Sequence, residues 1–450
     1  MKLFGTDGLR GQAGAFPLDP ASARLLGEEV GRRAGGSRPV VLGGDTREST
    51  PALLAELARG LSRAGSTVAS AGVVPTPAIA ELVLALSAGA GISVSASHNP
   101  YEDNGIKIFG SDGRKWPDEE EERLEQTLLA SRGADGETGG RGDAVQGGRG
   151  EEDAGQAADP QLAEIYLSRL AEHVPARLDG LAIVMDTGNG AAFQVGPEAL
   201  RRAGARVTAI ADRPDGRNIN AGCGALHPEA MAAETLGSGA AMGVAFDGDA
   251  DRAIFSDETG RILDGDDVLW ILARDWKRRG LLTDAGIVGT VMSNFGLEAG
   301  LAREGIAFRR AAVGDRNVAQ LMEESGARIG GETSGHLILP FSPAGDGIQT
   351  ALLLAGISAR GGPLSRLATL EKMPQVVRNV RVDRRVTLEE NSGVSRAVAR
   401  AEGALDHRGR VYLRYSGTEP LLRILVEGSE KEAVIAIADE LESAVRKELN

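Results

Sequence analysis

Ser95-Ala96-Ser97-His98-Asn99-Pro100 follows directly on an apolar run, Gly91 to Val94. The run reads as a buried strand, and the Asn-Pro pair turns the chain out of it, because proline disfavours helical angles in the residue before it. A hydroxyl at such a strand end sits on a rigid support, which suits a nucleophile or a phosphate carrier. Taken alone, an ordinary turn serine is the commoner reading.

Upstream of this turn, helical and strand patterns alternate. Asp19-Pro20 signals a helix start, with the carboxylate as cap and proline at the first turn. Val40-Val41-Leu42 reads as a buried strand, and Ser49-Thr50-Pro51 opens a helix with Leu53, Leu54, Leu57 and Leu61 on one face. A strand near Val68 and a helix from Pro77 to Leu86 lead back to the serine turn. This alternation predicts a sheet of mostly parallel strands covered by helices on both faces.

Downstream, the segment from Ser131 to Gly155 holds nine glycines and one bulky aliphatic residue, Val145. It cannot bury a core and is expected to be an exposed, mobile connection. A second unit alternates through Leu181–Met185, Val207–Ile210 and Met242–Phe246. A third runs from near Asp264 through strands at Gly286–Val291 and Ala307–Ala311 to a helix from Gly347. After Met373-Pro374, three strands and two helices predict a small α+β domain. The expected fold class is therefore α/β: three doubly wound domains with mixed, mostly parallel sheets (1–155, 156–255, 256–372), then an α+β domain (373–450).

The formal net charge of -14 argues against nucleic-acid or membrane-surface binding through a basic field. An anionic ligand would then need a locally basic pocket, which directs attention to arginines in glycine-rich loops. The single cysteine, Cys223, excludes an internal disulfide and fits a reducing compartment. Met1-Lys2-Leu3-Phe4 leads straight into Gly5-Thr6-Asp7-Gly8, leaving no room for a signal-peptide core. The expected location is the cytoplasm.

Three further loops carry candidate chemistry. In Asp247-Gly248-Asp249-Ala250-Asp251-Arg252, small residues alternate with three carboxylates that a tight turn can point at one spot, and a hard divalent cation would relieve their repulsion. A helix-loop-helix calcium site competes, although Arg252 stands where such a loop needs glycine. Gly331-Glu332-Thr333-Ser334-Gly335-His336 offers groups that can hydrogen-bond sugar hydroxyls, or a plain polar turn. Arg414-Tyr415-Ser416-Gly417-Thr418-Glu419-Pro420, with Arg423 shortly after, can cradle a phosphate, or form a hairpin with surface charge. Arg10 in a glycine-rich frame and Lys107 on the strand after the Ser97 turn are two more candidate phosphate contacts. The chain has no Walker lysine loop, no G-x-S-x-G elbow and no H-E-x-x-H helix.

With all four loops in place, S-A-S-H-N-P, D-G-D-A-D-R, G-E-T-S-G-H and R-Y-S-G-T-E-P in that order, the chain resembles the α-D-phosphohexomutase superfamily from Gly5 to about Arg423. Asn218-Ile219-Asn220 with Cys223-Gly224 and His227, and Val313-Gly314-Asp315-Arg316, favour its glucosamine branch. Thr333 departs from the Gln, Asn or Met frequent there, and Asn317 from an aromatic.

The resemblance implies one loop per domain around a central cleft. Ser97 would be the phosphoserine, and Asp247, Asp249 and Asp251 would bind one Mg2+ per subunit together with the Ser97 side chain. Glu332 and Ser334 would hold sugar hydroxyls, and Arg414, Ser416, Thr418 and Arg423 the non-reacting phosphate. Arg10 and Lys107 would steady the reacting phosphate, with Lys107 or His336 as proton acceptor. The implied activity interconverts glucosamine 6-phosphate and glucosamine 1-phosphate through a bisphosphorylated sugar, which would also serve as activator. The last domain would hinge near Pro374. The expected partner is a small hexosamine phosphate, with no nucleic acid and no membrane; the oligomeric state stays open, a homodimer being one option.

Overall fold

The computed structural model describes residues 3–5, 7–36, 38–137, 157–388, 392–415 and 420–449. Four sheets follow one another along the chain. The first has six strands, ordered in space Phe4–Gly5, Gly8–Gln12, Asp103–Gly110, Ala90–Val94, Val40–Gly44 and Val68–Val73. The last three of these pair in parallel, while the others join them antiparallel. Ser97 thus leaves the carboxyl end of a central strand whose five residues are all buried. Two helices, Pro20–Ala34 and Thr50–Arg63, cross on one face where Gly27 and Gly60 meet backbone. A Cβ at Gly60 would lie 2.0 Å from the Arg24 carbonyl oxygen, so the close crossing depends on the missing side chain.

The second sheet runs Ile262–Leu263, Ala253–Asp257, Met242–Phe246, Ala182–Asp186, Arg206–Ile210. Its antiparallel hairpin at Met242–Phe246 and Ala253–Asp257 carries the unit past residue 255, to Leu263. The third orders Phe308–Ala311, Ile287–Thr290, Ile329–Gly331 and Leu337–Ile338, again with a parallel centre and an antiparallel edge. The fourth is fully antiparallel, Gln375–Arg381, Leu421–Gly428, Gly409–Tyr415, with helices Ser392–Leu405 and Lys431–Leu449.

One apolar core, from Val41 to Leu370, runs through the first three units, whereas Val380, Leu422, Ile424, Val426 and Leu441 core the fourth separately. Two helices go beyond the sequence-based expectation. Asp118–Glu137 begins with four carboxylates, which favour a helix N-terminus, but within its described span it buries only a few side chains, such as Leu124 and Leu128. It carries the chain through Ser131 to Glu137, where the glycine content predicts a structureless connection; the rest of that glycine-rich segment, 138–156, lies outside the described residues. The helix Pro160–Glu172 is capped by Asp159 and packs against Thr76–Ala85 of the first unit and Val195–Arg202 of the second. Among the described residues, no helix is long and apolar enough to cross a membrane.

Candidate active site

The Ser97 turn is held in an uncommon conformation. Ser97 has φ 52°, the left-handed region that a non-glycine residue enters at a cost of roughly 1 kcal/mol. Its N–H donates to Ser95 Oγ at 2.9 Å, and the Ser95 hydroxyl donates to Asp45 Oδ2 at 2.6 Å. The side chain is fully buried, and its hydroxyl donates to the Asp247 carboxylate of the second unit. Two loops far apart in sequence therefore meet at one oxygen.

The aspartate loop joins the antiparallel strands Met242–Phe246 and Ala253–Asp257. Strands on both flanks remove the helix-loop-helix calcium reading, and Glu258, twelfth from Asp247 where such a loop places its bidentate glutamate, instead accepts hydrogen bonds from Ser365. Ala250, with φ 56°, allows the tight turn, closed by Ala250 N–H to the Asp247 carbonyl at 3.0 Å. One oxygen from each of Asp247, Asp249 and Asp251 lies within 4.8 Å of the others, all three residues being buried.

Lys107, 1% exposed, places its ammonium 2.8 Å from Asp249 Oδ2, 2.9 Å from Asp251 Oδ2 and 3.2 Å from Asp7 Oδ1. Burial alone would depress its pKa, but these carboxylates outweigh that and hold it well above the usual lysine range. Asp247 goes the other way: burial, then the charges of Asp251 and Asp249, push its carboxyl up. Asp249 Oδ1 and Asp251 Oδ1 are buried without a hydrogen-bond partner. Acceptor oxygens crowded together and left unpaired are what a hard divalent cation satisfies, so the residues present fit a metal of the magnesium type.

Arg10 lies on the strand Gly8–Gln12 instead of in a flexible frame, because that strand pairs with Asp103–Gly110. Its guanidinium donates to the Ala96 carbonyl at 2.8 Å and contacts Asp7, so it braces the Ser97 turn. From the third unit, His336 packs its ring against Gly345, where no Cβ would fit, with Nδ1 3.7 Å from Asp251 Oδ1 and Nε2 3.9 Å from Asp315 Oδ2. Glu332 is half-buried and accepts from the Gly314 N–H at 3.0 Å, while Ser334 is exposed.

Ser97, Arg10, Lys107, the three aspartates and His336 are thus brought together. In the fourth unit, Arg414 and Arg423 stand directly opposite each other across an antiparallel pair, both exposed. Among the described residues, neither pairs with a carboxylate, and no hydrogen bond or ion pair ties them to the other loops. Ser416 and Thr418 lie outside the described residues.

Several residues at the site escape the sequence reading. Asp7 accepts Arg10, Lys107 and Lys115. Thr76 Oγ1 donates to Asp249 Oδ2 at 2.6 Å. Arg252, which enters the sequence reading only as an obstacle to calcium, lies 3.2 Å from His98 Nδ1, itself 3.3 Å from Ser97 Oγ. Arg47 is fully buried among carbonyls of the Ser97 turn. The one available signal is position: Asp45-Thr46-Arg47 follows Val40–Gly44, and ligand-side residues of open α/β sheets gather at carboxyl ends of strands.

Comparison with known proteins matches the chain in four consecutive segments. Phosphoglucomutase/phosphomannomutase alpha/beta/alpha domain I matches residues 1–133, domain II 164–260, domain III 264–373 and the C-terminal domain 378–444. A phosphoglucosamine mutase from Symbiobacterium thermophilum is 44% identical over 455 residues, covering 100% of this chain and 99% of its own. One from Desulforudis audaxviator is 45% identical over 450 residues, covering 98% of this chain and 96% of its own. Among solved structures, a phosphoglucomutase/phosphomannomutase family protein from Burkholderia thailandensis matches with a TM-score of 0.80 at 25% identity, covering 100% of this chain and 98% of its own.

Proposed function

The chain belongs to the phosphoglucomutase/phosphomannomutase family, and from that membership and the geometry of the site we propose that it is an isomerase that interconverts glucosamine 6-phosphate and glucosamine 1-phosphate, with Ser97 as the phosphate carrier. The observation that carries the reading is the Ser97 hydroxyl, buried and hydrogen-bonded to Asp247 within an acidic trio supplied by a different unit.

In the forward direction the bond between phosphorus and Ser97 Oγ breaks, and a bond from phosphorus to the sugar 1-hydroxyl forms. The hydroxyl proton passes to a group in the cleft; His336, beside Asp251, is the candidate, because the carboxylates around Lys107 keep its ammonium protonated. The bisphosphorylated sugar then turns. The bond to its O6 breaks, the phosphoryl group returns to Ser97, and O6 takes a proton. Arg10 and Lys107 steady the group in flight, a role for fixed cations because phosphoryl transfer depends on positioning and charge neutralisation. Asp247, Asp249 and Asp251 with the Ser97 side chain would hold one magnesium ion per subunit, which when bound offsets charge on the serine oxygen.

Glu332 and Ser334 orient sugar hydroxyls, and Arg414 and Arg423 with Ser416 and Thr418 grip the non-reacting phosphate. Gripping either end of the sugar in turn requires the fourth unit to move, and its separate core supports a hinge near Pro374. A bisphosphorylated sugar primes Ser97, and the enzyme works in the cytoplasm.

The test is a panel of amino and neutral sugar phosphates assayed with bisphosphorylated activator, on the native protein and on Ser97→Ala. Amino sugar turnover that disappears in the variant, together with the phosphoryl mass on the intact protein, is the expected result. Preference for neutral hexose phosphates would move the substrate to the phosphoglucomutase/phosphomannomutase side of the family, and turnover retained without Ser97 would remove the carrier.

A further inference from the structure

We propose that Arg47 and Asn220 are positioning residues that clamp the Ser97 carbonyl from two units and so keep the carrier hydroxyl turned toward Asp247. The inference rests on the carrier role proposed for Ser97.

Arg47 is 1% exposed and spreads its fork over one loop. Nη2 donates to the carbonyls of Ser97 at 3.0 Å and Asn99 at 2.8 Å, while Nη1 donates to Asp103 at 3.0 Å and to Pro100. Nε binds Asp45 Oδ2 at 2.9 Å. That same oxygen accepts the Ser95 hydroxyl, which in turn accepts the Ser97 N–H. Both main-chain ends of Ser97 therefore trace back to the Asp45–Arg47 pair. A planar guanidinium suits this, because its donors diverge at fixed angles that a lysine cannot reproduce.

Asn220 reaches the same carbonyl from the second unit. Its Nδ2 donates to Ser97 O at 2.9 Å and to Asn99 O at 3.2 Å. It does so from φ 58°, a left-handed conformation that asparagine tolerates better than most residues. This gives the Asn218-Ile219-Asn220 stretch a purpose that the substrate contacts do not. Gly248 closes the third side: a Cβ there would lie 2.5 Å from Ser97 O.

An ion pair serving only to hold the first unit together would be complete with Asp45. Instead all four carbonyls bound by Arg47 belong to residues 97–103, the turn that presents the carrier. Burying an arginine there is costly relative to apolar packing, so its retention calls for a gain in conformational specificity. The gain is a left-handed Ser97 that would otherwise relax toward ordinary angles and carry its oxygen away from Asp247.

Asn220→Ala and Arg47→Lys, alone and combined, test the clamp on the full-length protein. The rate of Ser97 phosphorylation by glucosamine 1,6-bisphosphate, read by intact mass, should fall roughly tenfold or more in Asn220→Ala, with kcat falling in step. KM for glucosamine 6-phosphate should stay within about twofold, since neither side chain is assigned to the sugar. The double variant should lose less than the product of the two single losses, because both act on one carbonyl. Should Arg47→Lys fail to fold, half-buried Asn220 still decides the matter. A folded Asn220→Ala with unchanged loading rate overturns the clamp, as does a rise in KM with loading unaltered. Ser97→Ala serves as the reference: if it keeps turnover, the carrier reading fails; if it is inactive while Asn220→Ala loads normally, only the clamp fails.

Discussion

Lys107 of the first unit carries its ammonium 2.8 Å from the Asp249 carboxylate of the second, with both side chains withdrawn from solvent. Removing one partner of such a buried pair leaves uncompensated charge, a loss of about 3–5 kcal/mol. A divalent cation among the aspartates would supply the missing compensation. Lys107→Met should therefore melt well below the native protein in chelator, and magnesium should raise its Tm by more than it raises the native Tm. An equal or smaller rise would mean that the ion does not bind at these carboxylates.

Asp249→Asn keeps the shape of the loop and an acceptor for the Thr76 hydroxyl, which binds Oδ2 at 2.6 Å. It removes one negative charge from the trio. Magnesium affinity and turnover should fall together, turnover by about 100-fold or more, a loss typical for removal of a group that stabilises transition-state charge. A magnesium titration of kcat checks this, and native turnover at low magnesium would count against the site.

Gly248 and Gly237 form a matched pair for asking whether backbone approach matters. A methyl on Gly248 would meet the Ser97 carbonyl oxygen at 2.5 Å, pressing the two loops apart. Gly248→Ala should lower kcat at least tenfold while the protein stays folded, since a displacement of this size at a reacting centre is expensive. Gly237, within the helix Glu229–Ser238, has no atom within 4 Å of such a methyl. Gly237→Ala should raise stability by about 0.5–1 kcal/mol through helix propensity and leave activity alone.

Asp346 predicts how stability changes with pH. Its carboxylate caps the helix Gly347–Gly361 through Gln349 N–H at 2.9 Å and accepts the Tyr166 hydroxyl at 3.0 Å, yet burial pushes its pKa up to about 7. In the unfolded chain the group ionises near 3.8. Between these values the folded protein holds a proton that the unfolded chain has lost, so folding is favoured at the acid end. This contribution is fully present below about pH 4 and lost by about pH 7, and a shift of that size is worth of the order of 4 kcal/mol. Tm should fall as pH rises from 5 to 8, and Asp346→Asn should flatten that slope. Parallel slopes for the two proteins would locate the pH dependence elsewhere.

The strand-end serine and the aspartate loop are legible in sequence because their chemistry and their place in the fold coincide. Ser97 follows an apolar run that reads as a buried strand, and three carboxylates spaced by glycine and alanine announce a turn with a common focus. Contacts set by tertiary packing cannot be read in the same way. Arg47 sits in an unremarkable turn, and only the sheet order, which places Val40–Gly44 beside Ala90–Val94, brings it under Ser97. Arg10 looks flexible in sequence because its glycines suit a loop, but pairing of Gly8–Gln12 with Asp103–Gly110 overrides that local tendency. The helix Asp118–Glu137 hides behind its charge, since its few buried leucines give almost no amphipathic signal.

Arg414 and Arg423 face each other in register on neighbouring antiparallel strands. Like charges so placed repel, and the arrangement weakens the sheet unless an anion lies between them. Sulfate or inorganic phosphate should therefore stabilise the native protein, and Arg423→Ala should lose most of that response. In buffer without such anions the variant should be as stable as the native protein or more stable by a few tenths of a kcal/mol. In the assay, KM for the sugar phosphate should rise tenfold or more, as expected when a charged hydrogen bond worth roughly 1.5–3 kcal/mol is removed from substrate binding. Intact mass after bisphosphate treatment separates the two ends of the cleft: saturating bisphosphate should still phosphorylate Ser97 in Arg423→Ala. An unchanged KM with a native anion response would leave this arginine pair outside the phosphate clamp.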